Sequence, residues 1–223
     1  MRKRAVIFDF DGTLADTNNP EVVISLAQAQ GHIVPEDLET RFNEHAGHYG
    51  PVFVERCFGI SPEEARDLYH AWEVHDAGNP VQLYEKAEEM LLRLTEDYAL
   101  CMLTSRHRTS LLPTLEHLGI ENHFLHITAY EDTQHHKPDP RAFDGILETL
   151  AAHGITKEEI VFVGDTRTDL EAGIGAGIDT IIVETGAYHA QRATHPHDPR
   201  FILPSVVHLP SWLDAFHALE EAG

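Results

Sequence analysis

Five short apolar runs, at 5–10, 99–104, 124–129, 160–164 and 180–183, limit how this chain can fold more than any other feature. Each is continuous rather than alternating, and each is bounded by Gly, Asp or other polar residues. Continuous hydrophobicity over so short a stretch suits a strand covered on both faces, the condition inside a parallel sheet. Segments with helical periodicity lie between the runs, at 80–96, 107–118, 140–153 and 168–177. Strand–helix repetition of this kind implies right-handed crossovers and an α/β class, a doubly wound parallel sheet.

One interval breaks the rhythm. Between 17 and 80 there is no apolar strand, only helix-like stretches at 21–30, 36–44, 52–57 and 62–75. That is far too much helix for one crossover. The economical organisation is a core domain formed by 1–16 and 81–223, with 17–80 inserted as an all-α subdomain on linkers near 15–20 and 78–80. The His- and Pro-rich segment 188–204 reads as a loop, followed by a last short strand at 205–208 and a helix at 212–221.

Charge narrows the function classes. Lys and Arg number 16 against 37 Asp and Glu, a net charge of −21. A nucleic-acid binder must bring positive charge to displace counterions from phosphates, so no nucleic-acid partner is expected. Adsorption to an anionic membrane is disfavoured for the same reason. The basic start Met1–Arg4 is followed by an apolar run that stops at Asp9, too short for a signal-peptide core, and no stretch of membrane-spanning length follows. Two cysteines, Cys57 and Cys101, are too few for a disulfide scaffold and read as small buried apolar residues. A cytoplasmic protein, monomer or homodimer, is the expectation.

Four groups of reactive residues fall at the carboxyl ends of expected strands, where open α/β sheets bind ligands. The first is Asp9-Phe10-Asp11-Gly12-Thr13, two carboxylates one residue apart leaving a strand into a Gly turn. Such a pair can supply a nucleophile and a general acid/base. Thr104-Ser105 offers hydroxyls and backbone N–H groups to an anion, with Arg106 next in line. Lys137 stands between His136 and Pro138, and Gly164-Asp165-Thr166-Arg167-Thr168-Asp169 closes a strand and opens a helix. Alone, each is an ordinary turn or helix cap; in this order, all at strand ends, they point to one site.

Together these residues resemble the haloacid dehalogenase (HAD) superfamily of hydrolases, over 5–183. The likeness is greatest to its phosphoglycolate-phosphatase-like branch, whose helical cap is inserted just after the first motif. The resemblance implies a Rossmann-like core with a helical cap and a Mg²⁺-dependent phosphatase acting on a small-molecule phosphomonoester. It implies that Asp9 is the nucleophile that becomes an aspartyl phosphate, and that Asp11 is the acid/base. Thr104 would hold the phosphoryl group, and Lys137 would bridge the nucleophile and that group. Asp165 and Asp169 would be acidic metal-site residues, with Asp9 and the Asp11 backbone carbonyl as further ligands. Four carboxylates offset by one lysine are tolerable in one cleft only with a bound hard cation, and an oxygen-rich donor set suits Mg²⁺.

The superfamily's other reactions fit less well. A dehalogenase has no need for Asp11 or the metal. Phosphonate hydrolysis uses a cap lysine, and no lysine occurs between Lys3 and Lys86. The mutases carry a His soon after the first motif, which is absent from the 16–20 segment here. A non-catalytic binding protein on this fold need not keep Asp9, Asp11, Lys137 and Asp165. Gly12, Ser105, Arg106, His48 and Arg56 are the substrate-contact candidates, with Arg41, His45 and Tyr49 behind them. The histidines at 189, 195 and 197 lack a fixed metal-ligand spacing and read as solvated.

Overall fold

The computed structural model describes residues 2–17, 20–48, 50–79, 81–191 and 198–222. Its main sheet has six strands: β1 (Ala5–Phe8), β4 (Ala99–Leu103), β5 (His126–Thr128), β6 (Ile160–Gly164), β7 (Asp179–Val183) and β8 (Phe201–Leu203). Their order is β5-β4-β1-β6-β7-β8, and every pairing is parallel. The chain runs outward from β1 through β4 to β5, then returns to the other side of β1 with β6. That reversal opens a crevice at the carboxyl ends of β1, β4 and β6.

Continuous apolar runs are what such a sheet needs, because both faces are covered. Val6, Phe8, Leu100, Met102, Val161 and Val163 pack on one face, with Leu91, Leu111 and Leu213 from the covering helices. Ala5, Ile7, Cys101, Leu103, Ile160 and Phe162 pack on the other, against Phe143, Ile146 and Leu150. The helices are α5 (Ala87–Leu94), α6 (Arg108–His117), α7 (Asp144–Ala152), α8 (Arg167–Ala176) and α10 (Leu209–Ala222), with a single turn, α9, at Tyr188–Gln191. Both cysteines are free and buried, and burial pushes each thiol up to about 12.

The interval after β1 is helical: α1 (Pro20–Ala29), α2 (Leu38–His45), α3 (Gly50–Phe58) and α4 (Pro62–Gly78). It has an apolar cluster of its own, built from Val23, Ala27, Val54, Phe58 and Leu68, with Phe42 and Phe53 stacked 5.1 Å apart beside it. Ser61 starts α4 with a reciprocal cap, its backbone N–H donating to Glu64 Oε2 (2.8 Å) and its hydroxyl accepting from the Glu64 N–H (3.3 Å). Where the chain leaves and re-enters the sheet layer, β2 (Ala15–Asp16) and β3 (Gln82–Leu83) pair antiparallel.

Three expectations need correction. The segment 188–204, expected as a loop, begins with the helical turn Tyr188–Gln191 and also holds a strand. The last strand is Phe201–Leu203, not 205–208, which instead forms a short 3₁₀ turn, Val206–His208. Pro204 cannot donate to a ladder, so the strand ends before it, and the Ser205 carbonyl accepts from the His208 N–H to start the turn. The segment expected as one helix over 80–96 spends its first residues in β3, and the helix begins at Ala87.

Candidate active site

The crevice brings three buried carboxylates together. Asp9, Asp165 and Asp169 each offer an oxygen, and these oxygens lie within 4.8 Å of one another. Asp9 continues β1, its N–H donating to the Val163 carbonyl at 2.9 Å, so sheet pairing aims its side chain. Lys137 Nζ stands between two of the acids, 2.9 Å from Asp9 Oδ1 and 2.6 Å from Asp169 Oδ1. Asp169 is the N3 residue of α8's capping box, its Oδ2 accepting from the Asp165 and Thr166 N–H groups at 3.2 and 2.9 Å. Both its oxygens are therefore committed. Asp169 braces Lys137 and the helix start at once.

Asp165 Oδ1 accepts from the Thr13 hydroxyl (3.0 Å) and Oδ2 from the Ala187 N–H (3.3 Å). Its carboxylate lies against Gly12, whose φ of +77° suits glycine and where a Cβ would meet Asp165 Oδ2 at 2.4 Å. Burial pushes Asp9 up to about 7, outweighing the Lys137 ammonium that pulls it down. Asp165 also lies well above the usual carboxylate range, first through burial and then through the charges of Asp169 and Asp9. Burial works against the Lys137 charge, but Asp169 and Asp9 outweigh it and raise this lysine above its ordinary value. Two protonatable carboxyls, a fixed ammonium and an all-oxygen donor set form a pocket that a hard cation fits.

Asp11 turns away from this trio. Its carboxylate takes two hydrogen bonds from Arg106, Nη2 to Oδ1 at 2.6 Å and Nε to Oδ2 at 3.2 Å, and it is partly open to the cleft. Arg106, expected as an anion contact, is thus held by a carboxylate two residues from Asp9. Thr104 is buried beside it, its Oγ1 accepting from the Arg106 N–H at 3.1 Å.

Other expected contacts are placed differently. The Ser105 hydroxyl lines the cleft but donates to the Gly47 carbonyl of the helical layer (3.2 Å). His48 also lines the cleft. Arg56 Nη1 donates to His48 Nε2 at 2.7 Å, so the ring carries its proton on Nδ1 and gives it to the His45 carbonyl at 2.8 Å. Arg56 reaches the cleft only through that histidine and is not among the lining residues. Tyr49, His195 and His197 lie outside the described residues.

Several residues of the site carried no sequence signal strong enough to single them out. Thr13 sits inside the Asp9–Thr13 run, where a threonine after a Gly turn is ordinary. Gly186 and Ala187 follow β7, a fifth strand end, and neither has a reactive side chain to mark it; a Cβ at Gly186 would lie 1.7 Å from Asp165 Oδ2. Gln191 ties the two layers. Its Oε1 accepts from the Arg167 N–H (2.7 Å) while its Nε2 donates to the Asn43 carbonyl (2.6 Å). Phe53, Tyr69, Trp72 and Glu73 line the cleft from the helical side.

The family model described as haloacid dehalogenase-like hydrolase matches residues 6–183, from β1 through β7. The chain belongs to that family. Among its relatives, pyrophosphatase PpaX of Halalkalibacterium halodurans is 28% identical over 227 residues, covering 96% of this chain and 97% of the relative. Phosphoglycolate phosphatase of Mesorhizobium japonicum is 28% identical over 214 residues, 91% of each chain. A solved structure from Haemophilus somnus, titled a predicted phosphoglycolate phosphatase, superposes with a TM-score of 0.78 at 21% identity, over 95% of this chain and 98% of that one. For this haloacid dehalogenase-like hydrolase, that likeness establishes the fold. No helix among the described residues is long and apolar enough to cross a membrane.

Proposed function

We propose that this hydrolase is a Mg²⁺-dependent phosphatase that cleaves a small-molecule phosphomonoester through an aspartyl phosphate on Asp9. The observation that carries the reading is the Asp9–Lys137–Asp169 chain at the carboxyl ends of the sheet, with Asp165 beside it and Asp11 open to the cleft. The names of the relatives, a phosphoglycolate phosphatase and a pyrophosphatase, support phosphoryl chemistry.

Asp9 and Asp165 would hold the cation, with Asp169 behind them and the Asp11 backbone carbonyl as a further donor. When bound, the cation offsets the carboxylate charge and draws negative charge from the phosphoryl oxygens. Asp9 attacks phosphorus; the bond to the leaving oxygen breaks, and that oxygen takes its proton from Asp11. Asp11 then accepts a proton from water, which attacks the same phosphorus, releases phosphate and restores Asp9. Lys137 holds Asp9 in line, and Thr104 stands at the phosphoryl position. Arg106 must let go of Asp11, or move with it, when Asp11 handles a proton at the substrate. Residues 17–80 act as a cap over a core made of 1–16 and 81–223, excluding water while Asp9 is phosphorylated.

The test is phosphate release from p-nitrophenyl phosphate with and without Mg²⁺. Turnover that requires the cation is expected. Halide release from 2-haloacids without Mg²⁺ would replace this reading with a dehalogenase, and no turnover of any phosphomonoester would leave a binding protein.

A further inference from the structure

The cleft is far larger than the reacting group, at about 770 Å³, within the range that buries a drug-sized ligand. Beyond the carboxylate trio its wall changes character. From the helical side come Phe42, Phe53, Tyr69 and Trp72, with Trp72 set 6.2 Å from Tyr69 and 6.4 Å from Phe53 between ring centroids. Two acids, Glu73 and Asp76, share that wall. Glu73 Oε1 is shielded from solvent and has no hydrogen-bond partner among the described residues. A buried oxygen of this kind loses free energy until a donor reaches it.

Among the described residues, positive charge is sparse where a second anion would need it. The lysine and arginine among them that line the cleft are Lys137 and Arg106, and both are already closed on carboxylates. His48 receives a hydrogen bond from Arg56 on Nε2, and burial lowers its affinity for a proton. His70 and His117 stand at the exposed rim. A leaving group that carries a carboxylate or a further phosphate would meet Glu73 and Asp76, and Arg106, the guanidinium that acts on Asp76, is already closed on Asp11.

We infer that the cleft selects a phosphomonoester whose leaving alcohol bears an uncharged ring with N–H or O–H donors, of the nucleoside monophosphate class. The ring stacks on the aromatic wall around Trp72, a sequence-tolerant contact, and a donor on its edge satisfies Glu73. This rests on the phosphatase reading above and deepens it, and it separates this chain from what the names of its relatives describe.

The experiment compares kcat/KM with Mg²⁺ for adenosine and cytidine 5′-monophosphate, phosphoglycolate and pyrophosphate, with p-nitrophenyl phosphate as the general reporter. At least one nucleotide is expected to exceed both phosphoglycolate and pyrophosphate by about tenfold or more. Glu73→Ala should shrink that ratio by about tenfold, the worth of one buried hydrogen bond to a charged group. Glu73→Lys should shift the preference toward phosphoglycolate. A wild-type preference for phosphoglycolate or pyrophosphate, or a ratio unmoved by both variants, overturns the inference while p-nitrophenyl phosphate turnover leaves the phosphatase reading standing. Absence of p-nitrophenyl phosphate turnover overturns both.

Discussion

On the sheet side of the cleft, Asp9, Lys137 and Asp169 are almost wholly buried and bonded to one another or to backbone N–H groups. On the helical side, Trp72, Glu73 and Asp76 are half-buried, and Glu73 Oε1 has no partner among the described residues. One wall is held by hydrogen bonds that run back into strand ends and a helix cap. The other presents ring faces and carboxylates to whatever enters. Chemistry needs atoms fixed within fractions of an ångström, and parallel strands provide that; selection needs a surface that can be rewritten without disturbing them. Among the described residues the two walls meet at the Gly47 carbonyl, which accepts from Ser105, at Gln191, and where Tyr69 of α4 approaches His107 at the start of α6.

The sharpest way to break this contrast is at Lys137. Lys137→Met leaves two buried carboxylates without their ammonium, a loss of about 3–5 kcal/mol for breaking a buried ion pair. Urea unfolding should register it, and turnover should fall with it; a variant as stable and active as the parent would mean that the pair is incidental. Next comes the cation. Protons held by Asp9, up to about 7, and by Asp165 compete with it, so Mg²⁺ should bind more weakly below that pH than above.

Without Mg²⁺ the folded state keeps those protons after the unfolded chain has lost them, near pH 4, so these two groups cost stability as pH rises toward 7. Mg²⁺ removes that cost. The gain in Tm on adding Mg²⁺ should therefore be larger at pH 8 than at pH 5.5, a difference in which the histidine contributions cancel. An equal gain at both would contradict the proton competition.

Smaller effects are expected where the walls meet. Gln191→Ala removes the bond to the Asn43 carbonyl, about 0.5–1.5 kcal/mol, and should raise KM by about twofold to tenfold with kcat little changed. A loss confined to Tm would make Gln191 a packing residue only. Smallest is the response to salt. The chain carries −21, and residues 17–85 hold twelve acids against three arginines, so the surface repels phosphorylated substrates at long range. Attraction is local, within a Debye length of about 8 Å, so kcat/KM should stay level or rise with moderate salt. A steep fall would point to long-range capture.

How far the sequence could be read follows the same division. Asp9 and Asp165 were legible because a polar residue that ends a continuous apolar run points into the crevice of a parallel sheet; Lys137, well beyond the end of 124–129, was legible only from its place in the ordered set of motifs. Asp169 was legible as an acid of the site, but its work as helix cap and lysine brace depends on Thr166 and on both its oxygens, which spacing does not reveal. The contact between Asp11 and Arg106 joins residues 95 apart in the chain and exists only because β1 and β4 are neighbours. Trp72 packs against the helical cluster while one part lines the cleft, a double role that an aromatic inside a helical stretch does not announce. The strand at 201–203 was hidden by its shortness and by Pro204, which drew the expectation past it.

The claim on which the rest depends is that Asp9 does the chemistry. Its most direct measurement is Mg²⁺-dependent phosphate release from p-nitrophenyl phosphate by the parent and by Asp9→Asn, at matched folded concentration. Removal of a covalent nucleophile should cost at least about 10⁴-fold in kcat. An Asp9→Asn protein that stays folded and keeps turnover within tenfold of the parent would contradict it.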